Sequence, residues 1–175
     1  IKLHHELELY RNAMRTVVVR TDPETHSSRY SVSSGIVRPR QQVEAQFSLP
    51  YLIACGLVLG EVGIDQITSF GKPAVLVASG QIQAERKEGM PKGWGEIEVV
   101  CAVGRSGSAE LEPPSGSPDN PLSVNQLQEK FRDCAAHALQ PPTGESVEKM
   151  ISLILEPGVM ADSRDLIKLS TSRAS

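Results

Sequence analysis

Aromatic residues are scarce in this chain: one Trp, three Tyr and three Phe make up 4% of its 175 residues. Few rings are on hand to stack on bases or sugars, and Leu, Ile, Val and Ala must supply the core. A cationic excess is missing too. Eighteen Lys and Arg against 21 Asp and Glu leave a net charge of -3, which argues against nucleic acid as a partner, because a phosphate-backbone binder concentrates Lys and Arg. The three cysteines, Cys55, Cys101 and Cys134, are widely separated and odd in number. Without a Cys-x-x-Cys pair they signal neither a zinc knuckle nor a disulfide framework. Reduced thiols in the cytoplasm or a mitochondrial matrix are the simplest expectation, with Cys55 a small buried hydrophobe in an apolar run. No apolar stretch reaches the roughly 18 residues of a membrane span. The longest, Leu49 to Leu59, is interrupted by Pro50 and Gly56, and no membrane partner is expected.

What is present is enough for a globular core: 39% hydrophobic and 22% charged residues. Leu3, Leu7, Tyr10 and Met14 are spaced for one apolar stripe and predict a helix from Leu3 to Met14. Thr16 to Thr21 is a β-branched run of strand length that Asp22-Pro23 ends. Glu24 to Arg40, polar and rich in Ser, predicts a long loop or irregular hairpin. Val43 to Leu59 is apolar almost all round and predicts one buried helix, with Gly60 as its C-cap glycine. Pro73 to Ala78 fits a helix or a strand equally.

Gly95 to Val103 alternates, placing Ile97, Val99, Cys101 and Val103 on one face of a strand. Gly104 to Gly107 reads as a turn, and Ser108 to Glu112 as the returning arm of a hairpin. Pro113 to Pro121 is a loop. Ser123 with Gln126 fits a capping box at the head of a helix, whose apolar side is Leu127, Phe131, Cys134 and Leu139. Val147 to Leu155 follows with Met150, Ile151 and Ile154 inward, and Asp162 to Leu169 predicts a third short helix. The whole reads as an α+β fold: a small mixed domain with antiparallel strands and a buried helix over residues 1–121, then C-terminal helices over residues 122–175.

Most polar motifs have an ordinary structural reading. His4 and His5 are adjacent on a helix, about 100° apart, so they cannot serve one metal ion together; a solvated helix face is expected. His26 and His137 read as surface. Gly89 to Gly95 and Gly104 to Gly107 lack the strand-glycine-helix context of a phosphate loop. The charge run Glu85 to Glu88 reads as a solvated face. Tyr51 differs in kind. Pro50 belongs in a first helical turn, so Tyr51 sits at the head of an apolar helix, near backbone N–H groups that favour an anion. A phenol there is placed to hydrogen-bond a carboxylate or relay a proton; the competing reading is a Tyr satisfied by backbone.

The stretch Val43-Glu44-Ala45-Gln46-Phe47-Ser48-Leu49-Pro50-Tyr51-Leu52-Ile53-Ala54 resembles the active-site tyrosine region of the MmgE/PrpD family, which includes 2-methylcitrate dehydratase, cis-aconitate decarboxylase and iminodisuccinate epimerase. Leu59 to Asp65 is similar to the turn that follows it. Gly116 to Ser123, then Leu127, Lys130-Phe131-Arg132 and Cys134-Ala135, resemble a second family block. The strand Val17 to Pro23 is similar as well.

This resemblance implies that the chain is the smaller domain of a lyase of propionate-type metabolism, plus helices that return to an all-helical domain of the same or another chain. It implies a small polycarboxylate substrate, proton abstraction next to a carboxylate, no cofactor or metal, and a homo-oligomer at full length. Tyr51 matches the family tyrosine. Lys2 and His5 stand nearest the Lys and His that the small domain contributes, although the family's spacing and turn are not reproduced. The isolated chain is then expected to be catalytically incomplete. The alternatives are a decarboxylase or epimerase of the same family, and a stand-alone domain acting in protein association.

Overall fold

The computed structural model describes residues 1–9, 13–29, 39–111, 113–156, 158 and 162–171. It divides into two compact units, Ile1–Pro114 and Ser115–Ser175.

In the first unit the chain runs α1 (Lys2–Glu6), β1 (Met14–Thr21), α2 (Pro23–Arg29), α3 (Gln42–Phe47), α4 (Leu49–Val58), α5 (Ile64–Thr68), α6 (Pro73–Gln81), β2 (Ile82–Arg86), β3 (Gly95–Cys101) and β4 (Ser106–Leu111). The strands form one sheet in the order β2-β1-β3-β4. The β1–β2 pair is parallel, and β3 is antiparallel to both β1 and β4. A parallel pair needs a crossover, and the helices from α2 to α6 supply it. The α+β reading therefore holds.

Alternation decides which face of the sheet is buried. Val17, Val19 and Thr21 of β1 turn inward with Ile97, Val99 and Cys101 of β3, and Leu3, Leu7 and Leu57 pack on them. Val103 was expected on that face but is exposed beyond the strand end. The chain turns after Cys101, where Gly104 takes a left-handed φ of 85°. A second cluster, Ala45, Tyr51, Ala54, Cys55, Val75 and Ala78, lies on the other side of α4. Helix α4 is thus shared: Leu49, Ile53 and Leu57 belong to the sheet side, and Tyr51, Ala54 and Cys55 to the α3/α6 side.

Several sequence expectations are corrected. The single helix from Val43 to Leu59 is two helices, because Ser48 is extended (φ -87°, ψ 101°). Pro50 has no N–H to continue the ladder, and its ring would strike the carbonyl four residues back. Val43 and Phe47, on the first piece, are exposed. The first helix stops at Glu6, Glu8 adopts a left-handed φ of 50°, and Met14 already belongs to β1; Tyr10 lies outside the described residues. The loop expected from Glu24 begins as helix α2. Asp22 Oδ1 accepts the Glu24 and Thr25 N–H groups, both at 3.1 Å, which is an N-cap. The rest of that loop, residues 30–38, lies outside the described residues. Pro73 starts a helix, not a strand. Glu85 and Arg86 belong to edge strand β2, with Glu85 paired to Arg20 at 2.8 Å. The returning hairpin arm starts at Ser106, and Glu112 lies outside the described residues.

The second unit contains α7 (Val124–Ala136), α8 (Gly144–Leu155) and α9 (Arg164–Thr171). The Ser123–Gln126 capping box forms as expected. Val147, Met150 and Ile151 are buried, with Phe131, Ala135, Leu166 and Leu169 against them. Ile154 is exposed instead of inward, and of the apolar side expected on α7, Leu127 and Cys134 are exposed as well. Leu139, past the helix end, is 99% exposed. Among the described residues, Phe131 and Ala135 are the α7 hydrophobics packed on the α8 cluster, and Arg132 clamps Glu148 there with two bonds, 2.6 and 2.9 Å.

Candidate functional site

Ser48 makes the head of α4. Its extended backbone lets Oγ accept the Tyr51 N–H at 3.2 Å, and its carbonyl accepts the Leu52 N–H at 3.0 Å. Pro50 has no N–H. Ser48, Pro50 and Tyr51 are all buried, so this helix head presents no open row of donors to an anion. That corrects the sequence expectation: the cap that starts the helix consumes the groups an anion would use.

Tyr51 is 1% exposed. Its ring meets Phe70 with centroids 5.4 Å apart, and its hydroxyl donates to the Gln66 carbonyl at 3.1 Å. The Gly71 N–H donates back to the phenol oxygen, and the Cys55 thiol lies alongside. Burial, then the neighbouring Cys55, pushes the phenol up to about 12. The group is thus a neutral hydrogen-bond donor across the physiological range, not a base. Burial also raises the Cys55 thiol, against smaller opposing effects of Tyr51 and Lys72; a thiol held protonated is a poor nucleophile. Below this pair, the Gln66 side chain donates to Glu61 at 2.7 Å. The phenol thereby pins α4 to the segment from α5 to the start of α6.

Lys2 and His5 are exposed on α1, where Lys2 lies 3.8 Å from Glu6. Their α1 neighbours Leu3 and Leu7 pack on the sheet side of α4, and Tyr51 stands on the α3/α6 side. The structure does not gather these three residues around one cavity.

His4, expected on a solvated face, is 7% exposed. Its Nδ1 donates to the Leu57 carbonyl at 2.7 Å, tying α1 to the end of α4. Gly60 makes room for it: φ is 77°, and a Cβ there would stand 2.8 Å from the imidazole. The signal was available in the helical phase, since position 4 adjoins the stripe of Leu3 and Leu7 and position 5 turns away. Its partner, 53 residues later, was not.

A match to the MmgE/PrpD C-terminal domain covers residues 1–155. The chain belongs to this family. No curated protein matches it. The MmgE/PrpD match takes in the whole first unit and continues through α8, so the tyrosine block and the block from Gly116 to Ala135 lie in one matched segment. Within this MmgE/PrpD domain, Tyr51 is held inside its own unit, and the exposed ionisable groups nearest the chain start are Lys2 and His5.

Proposed function

We propose that this MmgE/PrpD domain is the smaller part of a lyase for small polycarboxylates, completed by a helical domain that contributes most of the cationic and acid/base groups. The reaction is proton abstraction next to a carboxylate. The C–H bond breaks, its electrons form a C=C bond, and hydroxide leaves the adjacent carbon as water. A 2-methylcitrate dehydratase-like activity is the leading form, with decarboxylation or epimerisation as its relatives. The family match over residues 1–155 carries this reading.

Tyr51 enters as a hydrogen-bond donor, because its raised pKa keeps the proton on. In this structure the donor is spent on Gln66, so contact with a substrate carboxylate requires exchanging that bond. Lys2 and His5, exposed on α1, are the candidates for carboxylate binding and proton transfer across a domain boundary. Association with a further domain is favoured by exposed Leu127, Leu139, Ile154 and Ile167 in the helical tail. The same residues support the second reading, a domain whose work is protein association.

The test is turnover of 2-methylcitrate, followed by the ultraviolet absorbance of the unsaturated product. The isolated chain should show none, and the chain joined to an MmgE/PrpD helical domain should show it. Turnover by the isolated chain would sink the argument for an incomplete site. In the joined protein, Tyr51→Phe should lower kcat/KM at least tenfold, which is about 1.4 kcal/mol; a change under about twofold withdraws Tyr51 from the chemistry.

A further inference from the structure

The stretch that follows α4 closes over Tyr51. It leaves α4 at one left-handed glycine, Gly60 (φ 77°), and ends before α6 at another, Gly71 (φ 105°). Between Glu61 and Gly71 only Gln66 is buried, while Ile67 and Phe70 pack, partly covered, against the cluster that holds Tyr51 and Cys55. Helix α5 within it has five residues, too few to hold a helix by local bonds alone. The phenol supplies the polar part of the attachment: its hydroxyl donates to the Gln66 carbonyl at 3.1 Å, and the Gly71 N–H donates to its oxygen. A stretch with so little buried belongs to the low end of local stability.

The bond to Gln66 is one the stretch gives up without orphaning a backbone group. In a continuing α-helix the Phe70 N–H would bond the carbonyl four residues back, that of Gln66. Here it turns to the Ile67 carbonyl at 3.2 Å, which leaves the Gln66 oxygen to the phenol. Once the phenol lets go, the Phe70 N–H takes the Gln66 oxygen and α5 lengthens. Two such arrangements, each with its acceptor satisfied, are what a switching element needs. The two ends differ in freedom. A Cβ at Gly60 would stand 2.8 Å from the His4 ring, whereas one at Gly71 would meet nothing within 4 Å. The chain has room to pivot at Gly71.

We propose that Glu61–Gly71 is a gate over Tyr51, with the Gln66 carbonyl as an internal stand-in for a carboxylate oxygen of the substrate. Closed, the gate occupies the hydroxyl. Swung out about Gly71, it leaves that donor to a carboxylate, whose charge makes the stronger bond. The proposal rests on Tyr51 as the donor to substrate, but the opening belongs to this chain and is measured without turnover.

The cysteines supply the readout. Cys134 is exposed, Cys55 is fully buried beside the phenol, and Cys101 is buried in the separate sheet cluster. The folded chain is treated with N-ethylmaleimide, and each cysteine is followed by mass spectrometry. Cys55 should react at least tenfold faster than Cys101, because the gate opens without the sheet core. Gly71→Ala strains the closed backbone and should speed Cys55 about tenfold. Tyr51→Phe, which removes both bonds and keeps the ring, should speed it as well. Ile97→Val, a small cavity in the sheet cluster, should speed Cys101 and leave Cys55 within twofold. One common rate for Cys55 and Cys101, or a Cys55 rate that neither Gly71→Ala nor Tyr51→Phe moves, would overturn the gate. In the chain joined to a helical domain, Gly71→Ala should lower KM for 2-methylcitrate at least threefold, because more of the protein is open; an unchanged or higher KM would overturn the stand-in role. Absence of all turnover there removes the lyase reading and the stand-in with it, whereas the labelling decides the gate by itself.

Discussion

Tyr51→Phe separates the buried hydroxyl from the ring that carries it. The ring would keep its place against Phe70, Ala54 and Val75, so packing is nearly unchanged. What disappears is the donor to the Gln66 carbonyl and the acceptor for the Gly71 N–H. The buried Gln66 carbonyl and the half-buried Gly71 N–H then lose that partner, which costs about 1–3 kcal/mol in all. The same substitution alters the alkaline limb of stability. The folded phenol is held at about 12 against an ordinary value of 10.0, a difference on the order of 3 kcal/mol. Because the folded state holds the proton longer than the unfolded one, this stabilisation is complete below pH 10 and is lost as pH rises toward 12. Urea unfolding at pH 7 and across the alkaline range measures both effects. Tyrosinate absorbance, taken as the difference between wild type and Tyr51→Phe, isolates the titration of this one group. A penalty under about 0.5 kcal/mol at pH 7, together with a Tyr51 midpoint near 10, would refute the buried-donor argument.

Further substitutions test the elements around this layer. Gly60→Ala should cost ~2–4 kcal/mol, from the left-handed φ and the clash with the His4 ring. In a His4→Ala background the added cost should fall, as a double-mutant cycle in urea would read out. Ser48→Ala removes the buried cap of α4 and should lower stability by about 1 kcal/mol; an unchanged midpoint would contradict the assigned cap. Asp22 is raised by burial but lowered more by its bonds from Thr25, Gly93 and Glu24, for a net fall. Its stabilisation is therefore present above the ordinary value of 3.8 and is lost as pH falls through the depressed one. Asp22→Ala should cost about 0.5–2 kcal/mol at pH 7, and acid unfolding experiments should show that penalty shrinking at low pH.

The sequence by itself determined whatever is settled within a few residues. The Ser123–Gln126 box, the Gly60 turn, the alternation that buries Ile97, Val99 and Cys101, and the α+β class all rest on such short-range chemistry. The break at Ser48 was legible as well, because Pro50 forbids a continuous helix whatever surrounds it; the apolar run simply hid it. The tyrosine block and the Gly116 block were sufficient for the family.

Tertiary structure decided which way the chemistry faces. Tyr51 looked like the open head of a helix, but its hydroxyl is spent on a carbonyl 15 residues away and its N–H on the cap before it. His4 and His5 differ by one helical step; the helical phase separates them, but the Leu57 carbonyl that His4 bonds and the Gly60 that makes room for its ring come from more than 50 residues away. The apolar stripe of α7 reads as a core face, yet its unit covers only Phe131 and Ala135. Periodicity states that a face is apolar; what covers that face depends on groups far away in the chain, or outside it.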